Sequence, residues 1–188
     1  MTLLIAGVVL WSITHLFKAV APGARTRMVD RFGLGPYKGL ITLDIVIALL
    51  LIVFGWKSTM PVALYAPPLY GSPIPSAAVL LAIVLFVTSS TPNNLKRYIR
   101  HPQMTAVVLW GAGHLLTNGE SRSVILFGGL AIWAILEMIF INKRDGQWLK
   151  PNAVPLSKDI IMVIIAAAAC ALLVYFHASL FGVPAISI

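Results

Sequence analysis

The sequence predicts an all-α integral membrane protein with six transmembrane helices and both termini on the outer side of the membrane. Hydrophobic residues make up 59% of the 188 residues and charged residues only 11%, whereas a soluble domain is about one quarter charged. The apolar residues fall in long blocks, and the basic residues lie between those blocks. This composition excludes a disordered chain, a nucleic-acid-binding domain and an ordinary cytosolic enzyme.

Six apolar blocks are long enough, or nearly long enough, to cross a bilayer, for which a helix needs about 20 residues. They cover approximately residues 3–20, 40–56, 76–89, 103–117, 124–141 and 160–181. The third block is short, so we expect its ends to extend into the flanking polar residues. The first block lacks a basic start and a small-residue cleavage site, which predicts a retained helix rather than a signal peptide. Residues 1–188 are therefore predicted to form a single polytopic membrane domain.

The connections between the blocks set the orientation. All but two of the 14 Lys and Arg lie in or beside the first, third and fifth connections, and the exceptions are Lys57 and Arg122. Basic loops stay in the cytoplasm, which places both termini outside. The net charge of +8 is thus explained by topology and by contact with anionic lipid. The second connection, residues 57–75, is rich in proline and is predicted to form an ordered non-helical cap or an interfacial segment.

Ionisable side chains inside a membrane span cost free energy and so mark candidate sites. They are His15, Asp44, His114, Glu137 and, near an outer end, His177. The single cysteine, Cys170, excludes an intrachain disulfide or a cysteine-based metal site.

His15 and His114 have similar local sequences, each of the form W-x-x-x-H-L. Trp11 and Trp110 lie four residues before the histidines, and the small residues Ser12 and Gly111 lie three before. Residues three and four apart share a helix face, so each imidazole is predicted to lie beside an indole and a gap that admits a flat ligand. Two neutral imidazoles commonly hold haem iron. The alternative is that both histidines only pack against other helices.

The two carboxylates, Asp44 and Glu137, are predicted to lie at about the depth of His15. A carboxylate at that depth can orient a ligating histidine through its second nitrogen. The alternative is that Asp44 or Glu137 pairs with Lys18 or Lys38, whose side chains would reach inward.

The depth of His114 raises a geometric difficulty. It follows His101 by about 20 Å of helix, which places it roughly 10 Å further from the cytoplasm than His15. Opposite axial ligands must share one height. Helix tilt or an earlier helix start would close the gap; otherwise His15 pairs with His101, or one site is five-coordinate.

Beside His101, the cluster of Lys96, Arg97 and Arg100 either docks a carboxylate or phosphate or serves only as a topology signal.

The fourth block carries a recognisable pattern. Arg100-His101-Pro102-Gln103-Met104 is followed by Trp110 and then by Gly113-His114-Leu115-Leu116, Asn118 and Gly119. This pattern resembles the signature of the NnrU family, small membrane proteins associated with bacterial denitrification. The resemblance implies a multi-pass protein of the bacterial inner membrane, with its termini in the periplasm. The family is similar to plant 15-cis-zeta-carotene isomerase, a haem b membrane protein.

The resemblance also implies a cofactor, haem b, with His15 and His114 as the axial iron ligands. The residues implied to contact the cofactor are Trp11, Ser12, Lys18, Arg100, Trp110 and Gly111. Gly111 stands where the isomerase has a cysteine, so a thiolate ligand is not expected.

Three functions follow from these resemblances. The first is a redox-gated cis-trans isomerase of a carotenoid-like polyene. The second is a non-catalytic accessory protein of denitrification that binds haem or nitric oxide. The third is an isoprenylcysteine-type methyltransferase, since Arg100-His101-Pro102 also resembles that family. Those enzymes carry adjacent glutamates after the next helix, and residues 141–147 lack them.

Overall fold

The computed structural model describes residues 1–69, 72–183 and 185. These residues form helices and connections without a β-strand, and one isolated bridge joins Ala63 to Glu120. The helices are α1 (Thr2–Val20), α2 (Pro22–Phe32), α3 (Leu34–Ser58), α4 (Pro73–Ser90), α5 (Pro102–Leu115), α6 (Ser121–Asp145) and α7 (Leu156–Phe181). A 3-10 turn, Asn94–Arg97, precedes α5, and α6 includes a π-helical segment, Val124–Gly128. The predicted all-α class is confirmed.

Five helices of the described chain, α1, α3, α4, α6 and α7, are long and apolar enough to cross a membrane. Many of their large apolar side chains point outward, and Ile13, Phe54 and Ile164 are about 60% exposed. Such surfaces are unfavourable in water and favourable in lipid. The fold is therefore that of a multi-pass membrane protein. The helix over the fourth predicted block, α5, has 14 residues and is too short to belong to this set.

Glycine allows α1 and α3 to pack closely in antiparallel directions. A Cβ atom on Gly7 would lie 2.7 Å from the backbone nitrogen of Ile52, and one on Gly55 would collide with the backbone of Leu4. Small residues at such crossings let helix backbones approach in a membrane, where van der Waals contact drives association. This crossing fixes α1 against α3 and leaves the opposite face of α1 to contact α6.

The helices follow one another in space in the order α3, α1, α6, α5, α4, α7. The order arises because α1 packs on both α3 and α6, whereas α4 packs on both α5 and α7. The helices therefore form an open arrangement in which α1 and α4 are separated by α6 and α5.

The first connection contains a helix that the apolar pattern did not predict. Pro22–Phe32 forms α2, with Pro22 in its first turn and none of its residues buried. Proline is favoured at that position because its missing N–H would be unpaired there. A short basic helix without a buried face is typical of the membrane interface.

The second connection is an ordered non-helical cap over the described residues 59–69 and 72, as predicted. Leu64 N donates to Gly119 O at 2.8 Å, and Ser121 N donates to Val62 O at 2.8 Å. The cap thus joins the end of α3 to the connection between α5 and α6. Tyr70 and Gly71, which belong to the predicted cap, lie outside the described residues.

Candidate functional site

His15 lies on α1 and is enclosed by two indoles. Its ring stacks on Trp11, with centroids 4.2 Å apart, and meets the edge of Trp133 of α6 at 5.1 Å. The predicted neighbour Trp11 is therefore beside the imidazole. Trp133 was not predicted as a site residue; its only sequence signal is the four-residue spacing to Glu137, which places both on one face of α6.

His114 lies on α5 in an equivalent local geometry with different neighbours. Its ring stacks on Phe127 of α6 at 4.3 Å and lies 5.1 Å from Trp110. Phe127 sits in the π-helical segment of α6, where an extra residue per turn changes which side chains face α5. The sequence does not indicate that segment, so Phe127 was also missed.

Both histidines use the same nitrogen to bond their own helix. Nδ1 of His15 lies 2.9 Å from the carbonyl oxygen of Trp11, and Nδ1 of His114 lies 2.8 Å from that of Trp110. A carbonyl oxygen only accepts, so Nδ1 carries the proton in the neutral ring. Nε2 then keeps its lone pair, which is the form of imidazole that binds a metal.

The two imidazoles contact α6 at different places. The contact residues, Phe127 and Trp133, are separated by about 9 Å along the helix axis. These contacts agree with the difference in height that the sequence predicts for His15 and His114. Within the described residues, no group of three or more His, Cys, Asp or Glu is placed to hold a metal ion.

The gap expected beside Gly111 is filled by protein. A Cβ atom at Gly111 would lie 2.7 Å from the carbonyl oxygen of Phe127, so this glycine admits α6 rather than a flat ligand. Ser12 donates from Oγ to the carbonyl of Val8 at 2.7 Å. A glycine needed for helix packing and one needed for a cofactor give the same sequence pattern, and the contact at Gly111 supports packing.

Three buried polar atoms near His15 lack a hydrogen-bond partner among the described residues. They are Nε1 of Trp11, Nε1 of Trp133 and Oε2 of Glu137. The Trp11 and Trp133 rings lie 5.7 Å apart, and Glu137 is one turn beyond Trp133 on α6. Buried polar groups are almost always bonded, so each exception calls for an explanation such as a missing water, ion or ligand.

Neither carboxylate predicted to orient a histidine does so in the structure. The Trp11 carbonyl, not a carboxylate, bonds the second nitrogen of His15. Asp44 is half-buried on α3 and makes no hydrogen bond or ion pair within the described part of the chain. Glu137 is only 2% exposed. It lies beside the Trp133 side chain and contributes to a cavity beside the C-terminal ends of α1 and α6.

That cavity, of about 360 Å³, brings together candidate residues from different parts of the sequence. Lys18, Lys96, Arg100, His101 and Glu137 all contribute to its wall. Nε2 of His101 lies 2.7 Å from Oδ1 of Asn142 on α6, so His101 is bonded across to α6. Of the described residues, no lysine lies within ion-pair distance of Glu137, so the proposed pairing of Glu137 with Lys18 does not form.

The remaining intramembrane histidine, His177, closes the end of α7. Its Nδ1 lies 2.7 Å from the carbonyl oxygen of Val183, and its ring lies 4.9 Å from that of Phe181. Both contacts are local to the helix end.

Apolar helices that enclose two histidines of fixed tautomer, with a charged cavity at one end, define a multi-pass membrane protein with an intramembrane site. The chain belongs to the NnrU family: the family model described as NnrU protein matches residues 3–185. The family expected from the pattern around His101 and His114 is confirmed. No curated protein matches the chain, and no solved structure matches it.

Proposed function

We propose that this protein binds haem b within the membrane and that His15 is its axial iron ligand. The observation that carries the proposal is the setting of His15: an imidazole with a free Nε2 lone pair, stacked on Trp11, whose buried indole N–H lacks an acceptor among the described residues. Nitrogen ligands suit iron, and orphaned donors indicate an absent acceptor. His114 has the same tautomer but no orphaned donor among its described neighbours, which makes it the second candidate.

The residues around His15 fit a haem in chemical type. The aromatic rings of Trp11 and Trp133 offer apolar contact surface, and the Trp11 carbonyl holds the ring in the ligating tautomer. The contacts of His15 and His114 with α6, about 9 Å apart along its axis, do not favour a shared iron. We therefore propose one protein ligand per iron. When bound, haem supplies an iron that exchanges electrons and takes small ligands at its open position.

A single protein ligand favours a non-catalytic role in binding a gas such as nitric oxide. The iron would keep a position for such a small ligand. Redox-gated isomerisation of a polyene is the second candidate, and methyl transfer, which rests on Arg100-His101-Pro102 alone, is the third.

The absorption spectrum of detergent-purified protein from haem-replete cells tests haem binding. We expect a Soret band that is lost in His15→Ala, kept in His114→Ala and unchanged in the control His177→Ala. A colourless, iron-free wild-type protein would contradict the proposal.

Expression beside a carotenoid pathway blocked at cis-trans isomerisation separates the first two functions, because restored product would favour the isomerase.

We also propose that α5 crosses the membrane, which gives six spans with both termini on the periplasmic side of a bacterial inner membrane. Two contacts support a full crossing. Before α5, His101 bonds Asn142 near the end of α6; after it, Gly119 bonds Leu64 in the cap that precedes α4. The residues that flank α5 thus lie at opposite ends of its neighbours, and all but two Lys and Arg fall on one side.

A further inference from the structure

The cytoplasmic cavity has a chemistry that the haem proposal does not use. Three cationic side chains, Lys18, Lys96 and Arg100, and one carboxylate, Glu137, share a volume of about 360 Å³. The excess of cations favours an anion such as a phosphate. The Glu137 carboxylate also contributes to the wall, and a carboxylate oxygen accepts hydrogen bonds. An occupant that satisfies both kinds of group carries a negative group and a hydrogen-bond donor.

The depths at which these charged groups lie in the membrane restrict further which molecule can bind. Lys18 lies in the last turn of α1, and Arg100 precedes the first turn of α5. Glu137 lies about 12 Å from the end of α6 at Asp145, toward the membrane centre. The acceptor is therefore on the membrane side of the cations, and the donor of the occupant must lie on the membrane side of its phosphate.

The cavity wall combines residues of helices that do not pack side by side. Its wall includes Lys18 from α1 and Ser89 from the end of α4, although these two helices are separated by α6 and α5 in the helix order. An acyl chain can thus leave the cavity sideways between α1 and α4 while its phosphate stays at the cytoplasmic interface. Basic pockets between helices on this side are typical sites for anionic headgroups.

We propose that this cavity binds a lysophospholipid with an anionic headgroup. A diacyl phospholipid has only ester oxygens on the membrane side of its phosphate, and ester oxygens cannot donate to a carboxylate. A single-chain phospholipid has a free glycerol hydroxyl at that position. Lys18 and Arg100 bind the phosphate, and Glu137 accepts the hydroxyl hydrogen. This site shares neither its charged groups nor its ligand with the proposed haem site at His15.

Lipid binding to the purified full-length protein, measured by native mass spectrometry, tests the proposal. The probe is 1-oleoyl-lysophosphatidylglycerol. It is compared with its analogue methylated at the glycerol-backbone hydroxyl, with dioleoyl-phosphatidylglycerol, with oleoyl-lysophosphatidylcholine and with free glycerol 3-phosphate. We expect the methylated and diacyl lipids to bind about 10-fold more weakly, as loss of one charge-assisted hydrogen bond implies. Lysophosphatidylcholine should bind more weakly because it has no net charge, and glycerol 3-phosphate should not compete.

Three variants assign the contacts. Glu137→Met should bind the probe and its methylated analogue equally. Lys18→Gln combined with Arg100→Gln should bind the anionic probe and lysophosphatidylcholine equally. Lys38→Gln removes an exposed cation outside the cavity wall and should match the wild type in every ratio. Each variant is compared only as a ratio between lipids, so a reduced yield of folded protein does not affect the result.

Several results would overturn the proposal. Equal binding of the diacyl lipid, or an unchanged preference in Glu137→Met, would show that no hydroxyl is recognised. Equal loss in Lys38→Gln would show attraction by the net charge alone, and competition by glycerol 3-phosphate would show a soluble ligand. Loss of haem absorbance in the Lys18→Gln, Arg100→Gln variant would assign these cations to haem carboxylates. Absence of haem from every sample would contradict the proposed function and leave this proposal standing.

Discussion

At the scale of single residues, the helical W-x-x-x-H spacing fixes the chemistry of two imidazoles. The backbone carbonyl four residues earlier takes the Nδ1 proton, at 2.9 Å for His15 and 2.8 Å for His114. The tryptophan side chain adds a ring face. The sequence predicted these indole neighbours because they depend on helix periodicity alone. It missed Trp133 and Phe127, because contacts between helices depend on helix rotation and on a π-helical segment that local sequence does not specify.

A substitution at Gly111 tests whether this glycine is needed for packing against α6 or leaves room for a cofactor. Gly111→Ala should lower the free energy of unfolding by about 1–3 kcal/mol, because the added Cβ meets the Phe127 carbonyl. In Gly128→Ala the nearest side-chain atom is 3.9 Å from the new Cβ, and alanine favours helix by about 1 kcal/mol. That control should be neutral or stabilising. Thermal unfolding in one detergent measures both, and a stable Gly111→Ala would show that the glycine faces open space.

At the scale of elements, a polar contact attaches α7 to the connection between α4 and α5. Asp159 of α7 accepts from the backbone nitrogen of Asn94 at 2.7 Å and from its Nδ2 at 2.5 Å. Asn94 in turn bonds Val154 through the same side chain at 2.9 Å. Since α7 otherwise packs mainly on α4, this contact fixes the N-terminal end of the last helix. The sequence shows an acidic residue near a helix start but not its partner.

Removing Asp159 should therefore loosen α7 at that end. Asp159→Ala leaves the donors of Asn94 without an acceptor, which costs about 1–3 kcal/mol when the group is buried. We expect a lower unfolding temperature and faster hydrogen exchange in the 3-10 turn Asn94–Arg97. Asp30→Ala removes an exposed acid from α2 and serves as the control. Unchanged exchange in the turn would show that the Asp159 contact does not hold α7.

At the scale of the whole molecule, the sequence predicted the architecture better than the site. Hydropathy and the distribution of Lys and Arg depend on the membrane as solvent, so they identified segments that the helices cover. They did not find α2, whose 11 residues have no apolar block. The short fourth block, residues 103–117, did indicate that α5 is short, and this helix has 14 residues. Its short length is compatible with a crossing because flanking residues 98–101 and 116–119 extend it at both ends.

Cysteine labelling tests the crossing of α5 directly. In a Cys170→Ala background, single cysteines replace three highly exposed residues, Met60, Tyr98 and Leu149. A membrane-impermeant maleimide added to intact cells should label only the cysteine at 60. Those at 98 and 149 should react after permeabilisation. Labelling at 60 and 98 from the same side would show that α5 does not cross and that the number of spans is five.

The central claim is that iron is held by one imidazole, because His15 and His114 lie at different heights on α6. Electron paramagnetic resonance of the ferric wild-type protein tests this most directly. One axial imidazole predicts a high-spin signal, since the remaining position is empty or holds a weak ligand such as water. A low-spin signal of two strong nitrogen ligands, lost in both His15→Ala and His114→Ala, would contradict the claim and require α1 and α5 to bring their histidines together.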